Sequence, residues 1–124
     1  MKIEANEVEI NGVVYVPKGL QEAKMAEKVD NMAYVIVRTY SAGVFAGYFR
    51  AKDGDEVVLL NARRLWYWSG AASLSQLAME GVKNPKACKF PCEVKRIQLL
   101  GVIEIIDCTK QAKQSIAGVP IWEA

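Results

Sequence analysis

The stretch Ala33-Tyr34-Val35-Ile36-Val37-Arg38-Thr39-Tyr40-Ser41-Ala42-Gly43-Val44-Phe45-Ala46-Gly47-Tyr48-Phe49-Arg50 decides how this chain folds. Ala33 to Tyr40 is rich in β-branched and aromatic side chains, which fit a pleated, half-buried surface, and Val44 to Arg50 continues in the same manner. Between them Ser41-Ala42-Gly43 makes a compact corner, where glycine permits a tight turn, so the two strands pair as neighbours. A second corner, Lys52-Asp53-Gly54-Asp55, leads into another strand-like run from Glu56 to Trp68. The three runs predict an antiparallel meander.

Towards the amino terminus, Val8 to Val16 alternates apolar and polar residues around Asn11-Gly12, the strongest short-range hairpin signal. Gln21 to Val29 carries Met25 and Val29 four apart among Lys and Glu, which suits a short surface helix ended by Asp30-Asn31. Towards the carboxyl terminus, Ser69 or Ser73 can cap a helix with Leu74, Leu77 and Ala78 as its apolar stripe and Gly81 as its terminator. The loop Asn84 to Cys92, with two prolines, should cross the surface, and one long strand should follow from about Val94 to Cys108. Thr109 caps a last short helix through Ala117, ended by Gly118, and Val119 to Trp122 adds a final edge segment. This order predicts a single α+β domain over residues 1–124. Its antiparallel β-sheet, a meander with an N-terminal hairpin, packs with two or three short helices.

With 124 residues and 52% hydrophobic content, the chain is long enough for one buried core. A net charge of +2 is too small to argue for tight, sequence-blind binding along a DNA backbone. The polar, acidic amino terminus and the lack of a long apolar run predict a soluble, cytoplasmic protein with no membrane partner. Three cysteines, Cys88, Cys92 and Cys108, cannot all pair within one chain and read as reduced structural thiols. With no histidine in the chain, that set is incomplete for a structural zinc, so neither metal nor cofactor is expected.

The same lack of histidine removes the usual general base and the Ser-His and Cys-His nucleophile pairs. Neither a GxxxxGK[ST] loop nor a GxGxxG fingerprint occurs. The acidic residues fall in turns and on the surface, so a binding protein is expected rather than an enzyme. The most informative run is Asn61-Ala62-Arg63-Arg64-Leu65-Trp66-Tyr67-Trp68. If it is extended, Arg64, Trp66 and Trp68 share one face and Arg63, Leu65 and Tyr67 the other. A guanidinium beside indoles suits a phosphate held by arginine and a base stacked on a ring. Tyr34, Ile36, Arg38 and Tyr40 share a face by the same alternation and run into the small-residue corner, whose backbone N–H groups can approach an anion.

Tyr34 to Tyr48, Asn61 to Met79 and Cys88-Lys89-Phe90-Pro91-Cys92 resemble segments of small phage and prophage proteins, and the match is to the first Thoeris anti-defence family. Members of that family are sponges: they bind cyclic nucleotide immune signals, such as cyclic ADP-ribose isomers and cyclic oligonucleotides, and sequester them without cleavage. The resemblance spans about Val8 to Trp122. It implies a homo-oligomer in the bacterial host cytoplasm with ligand pockets at subunit interfaces, built from arginines, aromatics and a Ser-Ala-Gly corner. Residues of those types here are Arg38, Tyr40, Ser41, Ala42, Gly43, Arg63, Arg64, Trp66, Trp68 and Phe90. Histidine contacts used by some members have no counterpart. The alternative is a phage accessory protein that binds a protein partner or single-stranded nucleic acid through its aromatic and arginine face.

Overall fold

A computed structural model describes residues 24–124 in full and, before them, the backbone of Ile3–Glu4, Glu7–Ile10 and Val13–Tyr15. These three short strands, β1 to β3, form an antiparallel sheet of their own in the order β1-β2-β3. Ile10 pairs with Val13, so the expected hairpin is formed, while its Asn11-Gly12 turn lies outside the described residues. The helix expected over Gln21 to Val29 is not found where the chain is described. Met25 instead bridges Thr109, and Val29 bridges Met32 around Asp30 and Asn31, both in the left-handed region. Residues 21–23 lie outside the described residues.

The meander is formed by β4 (Tyr34–Thr39), β5 (Val44–Asp53) and β6 (Glu56–Arg64), all antiparallel. The third strand ends at Arg64, four residues before its expected end, and only the Tyr67–Lys89 bridge continues it. The long strand expected over Val94 to Cys108 is two strands, β7 (Val94–Leu99) and β8 (Val102–Asp107). Gly101, at φ 68°, turns the chain between them. A Leu-Gly pair inside an apolar run gave no proline, asparagine or aspartate signal for that turn.

Strand order in this five-stranded sheet is β7-β6-β5-β4-β8, so the two strands joined by Leu100 and Gly101 sit at opposite edges. Three Cα steps reach at most about 11 Å, whereas the edges of a flat sheet of this size would lie about 19 Å apart. The sheet is therefore curled into a partly open barrel. Hydrogen bonds from Tyr40 N to the Gly101 carbonyl (2.8 Å) and from Val102 N to the Asp55 carbonyl (2.9 Å) tie the turn across the open end. Register shifts within β5/β6 and at Arg38/Thr39 supply the bend, with Asn61 at φ 49° in β6.

Curling gives the sheet two apolar faces. Inside lie Val35, Val37, Phe45, Val57, Leu59, Ala62 and Leu99, all buried. Against the outer face pack α1 (Leu74–Glu80) and α2 (Lys110–Gly118), burying Tyr34, Ile36, Leu65, Leu77, Phe90 and Ile116. Ser73 accepts from Gln76 N and Thr109 from Ala112 N, the two caps expected from the sequence. Thr109 also donates to the Met79 carbonyl at 2.6 Å, joining the start of α2 to the end of α1. The fold is thus α+β, a five-stranded antiparallel sheet with two helices and a 3-10 turn at Pro85–Ala87. No described helix is long and apolar enough to cross a membrane.

Candidate functional site

The β4–β5 corner is held by Thr39. Its backbone N–H and its hydroxyl both donate to the Gly43 carbonyl, at 3.0 and 2.9 Å, and its hydroxyl accepts from Ala42 N at 2.8 Å. Thr39 is itself buried, so the exposed residues Ser41, Ala42 and Gly43 stand on a fixed base. Next to the corner, Phe45 pairs with Arg64 in the sheet. The Arg64 guanidinium lies 4.3 Å from the centre of the Phe45 ring and donates from Nη1 to the Ala42 carbonyl at 2.7 Å. Leu65 N then donates to the Val44 carbonyl, burying Leu65 and directing Trp66 and Trp68 along the corner.

Ser41, Ala42, Gly43, Val44, Arg64, Leu65, Trp66 and Trp68 enclose a cleft of about 370 Å³. Its lining contains one ionised group, Arg64, with two indoles and the backbone of a tight corner. Such a site can accept an anion at the guanidinium and a planar ring at an indole face. Serine 41 supplies a hydroxyl, and no base lines the cleft beside it. Among the described residues no cluster of Cys, Asp and Glu is placed to hold a metal ion.

Six of the residues expected from the sequence therefore meet: Ser41, Ala42, Gly43, Arg64, Trp66 and Trp68. The alternation that separated Arg64 from Arg63 is realised, but the face bearing Arg63 is the one covered by α2 and Phe90. Arg63 is 5% exposed and donates to three main-chain carbonyls: Pro91 (2.9 Å), Ile116 (2.8 Å) and Phe90 (3.0 Å). Burial draws its pKa below the ordinary guanidinium value, against the opposing influence of Tyr34 and Glu93. Phe90 is wholly buried beneath it, with the guanidinium 5.5 Å from the ring centre. Both lie outside the cleft, with their polar and aromatic surfaces already used inside the domain. Arg38 is likewise placed elsewhere, in an exposed ion pair with Glu104 at 3.0 Å, and Tyr40 stands 84% exposed without lining the cleft. Arg38 keeps the register of Tyr34 and Ile36, opposite Val44, but its side chain is exposed near the strand end, where the irregularity at Arg38/Thr39 inserts Ile103 of β8.

Trp66 has a second neighbour that sequence reading did not identify. Trp122 stacks on it, ring centres 5.2 Å apart and planes within 9°, because Trp122 N donates to the Phe90 carbonyl and Ile121 bridges Phe90 in parallel. Lys89 Nζ lies 5.3 Å from the Trp66 ring, 5.9 Å from Tyr67 and 5.6 Å from Trp122. No local sequence signal links positions so far apart.

A family model described as a domain of unknown function, DUF6948, matches residues 32–116, more than half of the chain. The chain belongs to the DUF6948 family. The matched span of this DUF6948 domain runs from before β4 into α2 and contains every residue of the cleft, but it ends before Trp122. No curated protein and no solved structure matches the chain.

Proposed function

We propose that this DUF6948 protein binds a small phosphorylated nucleotide in the corner cleft and holds it without cleaving it. The observation that carries this reading is the convergence of Arg64, Trp66 and Trp68 on the Ser41-Ala42-Gly43 backbone. A phosphate oxygen can replace the Ala42 carbonyl as acceptor of the Arg64 Nη1 proton, and a base can lie against an indole. The volume, about 370 Å³, falls at the lower end of the range for small-molecule pockets.

The resemblance to the first Thoeris anti-defence family favours a cyclic nucleotide immune signal as the ligand, with sequestration in the bacterial cytoplasm as the function. A second subunit laid over the open side of the cleft would bury more of that ligand. The test is to incubate the purified protein with a panel of cyclic nucleotides, wash, heat it and analyse what is released. Intact recovery of a member of the panel supports sequestration. Release of a cleaved product, or of nothing, contradicts it.

A further inference from the structure

From Val57 to Cys92 the chain carries five basic residues, Arg63, Arg64, Lys83, Lys86 and Lys89, against a single acidic one, Glu80. A whole-chain charge of +2 conceals this concentration. With Arg63 turned inward and Arg64 in the cleft, the three lysines remain, all exposed. The fold brings them alongside the aromatic run: Tyr67 and Lys89 exchange backbone hydrogen bonds at 3.3 and 2.7 Å, and Lys83 N donates to the Gly70 carbonyl at 3.2 Å. The loop bearing Lys83, Lys86 and Lys89 thus runs beside Trp66 and Tyr67, with the Trp66–Trp122 stack at its end. Trp66 is 58% exposed, Tyr67 49% and Trp122 44%. The result is a shelf of flat rings bordered by cations.

We propose that this Trp66–Trp122 shelf, edged by Lys83, Lys86 and Lys89, docks single-stranded nucleic acid. Exposed ring faces accept bases of any sequence, and ammonium groups beside them meet the phosphates between bases. Duplex would not satisfy the rings, because its bases are already stacked. A second copy of this chain fits poorly, since a two-fold contact through the shelf would bring like-charged lysine loops together. Glu123, next to Trp122, and Glu93, next to Cys92, are neighbouring carboxylates in sequence and offset part of that charge. The shelf shares Trp66 with the cleft, and its variants, at Trp122 and Lys89, fall outside the cleft lining.

The experiment titrates the full chain with fluorescently labelled oligodeoxythymidylate of about 12 nucleotides and with a duplex of equal length, over a salt series. The expected result is binding to the single strand with quenching of tryptophan fluorescence, and weaker binding to the duplex. Trp122→Ala should weaken it roughly fivefold to hundredfold, with Trp122→Phe recovering part. Lys89→Gln should reduce the slope of log affinity against log salt by about 0.7. Arg64→Ala, which disrupts the cleft alone, should leave the tryptophan quenching in place. Equal binding of duplex and single strand, wild-type affinity in Trp122→Ala with an unchanged melting temperature, or no binding at low salt would each overturn the proposal. So would a change in the size of the free protein on Trp122→Ala, which would assign the shelf to contact between copies.

Discussion

Arg64 reaches back across the cleft to the carbonyl oxygen of Ala42, 2.7 Å from its Nη1, and so closes the β4–β5 corner with the side chain best suited to open it. The contact is exposed, and an exposed hydrogen bond of this kind contributes about 0.5–1.5 kcal/mol. An incoming phosphate replaces it with a charge-assisted bond of greater strength. The adjacent arginine is committed in the opposite direction.

Arg63 supports the fold rather than a ligand. Arg63→Ala leaves the Pro91, Ile116 and Phe90 carbonyls without their donor and opens a void against Phe90. We expect a loss of at least about 3 kcal/mol, with Arg63→Lys only partly better because one ammonium cannot match the planar fork. Arg64→Ala should cost no more than about 1.5 kcal/mol. Urea denaturation of the three variants measures the contrast, and equal stabilities would refute the assignment.

Gly81 ends α1 at φ 78°, and a Cβ there would collide with the Ser115 side chain of α2. Ser115 in turn exchanges hydrogen bonds with the Val82 backbone, so the contact cannot give way without breaking the helix–helix joint. Gly81→Ala combines left-handed strain with that collision and should lower stability by at least about 2 kcal/mol. Calorimetric melting reads it directly. Gly118→Ala, where a Cβ meets open space, is the matched control and should melt near wild type.

How much of this was legible in the sequence depended on whether the deciding contact was local. The Ser41-Ala42-Gly43 corner, the Ser73 and Gly81 ends of α1 and the Thr109 cap each rest on residues within a few positions, and all were readable. Alternation likewise separated Arg63 from Arg64. Which of the two faced the interior was set by Phe90, Pro91 and Ile116, far along the chain, and that no periodicity reports. The Leu100-Gly101 turn was hidden because the residues beside it, Leu99, Val102 and Ile103, are apolar, and the Trp66–Trp122 stack because it joins distant segments.

Cys108 makes the fold sensitive to alkali. Burial, with a smaller contribution from the Asp107 carboxylate, pushes its thiol from 9.0 up to about 12. In the unfolded chain the thiol ionises near 9.0, so the folded state holds the extra proton between the two values. Stability from this group is fully present below pH 9 and falls as pH rises towards 12. Burial raises the neighbouring Tyr34 hydroxyl in the same sense, steepening the decline. Denaturation midpoints measured across that range should fall more gently in Cys108→Ala than in wild type, and parallel curves would exclude Cys108 as a source of the decline.

The central claim is that Arg64 and its indole neighbours hold a nucleotide phosphate and base, and calorimetric titration of a cyclic nucleotide that is recovered intact from the protein tests it most directly. The account predicts that Arg64→Ala loses roughly tenfold to hundredfold in affinity, from a charge-assisted bond worth about 1.5–3 kcal/mol. Arg64→Lys should recover part of the loss, since it restores the charge without the fork. Both variants should keep the wild-type melting temperature to within a few degrees, as the 2.7 Å bond to Ala42 is exposed. Wild-type affinity in Arg64→Ala, with fold and oligomeric state unchanged, would contradict the account.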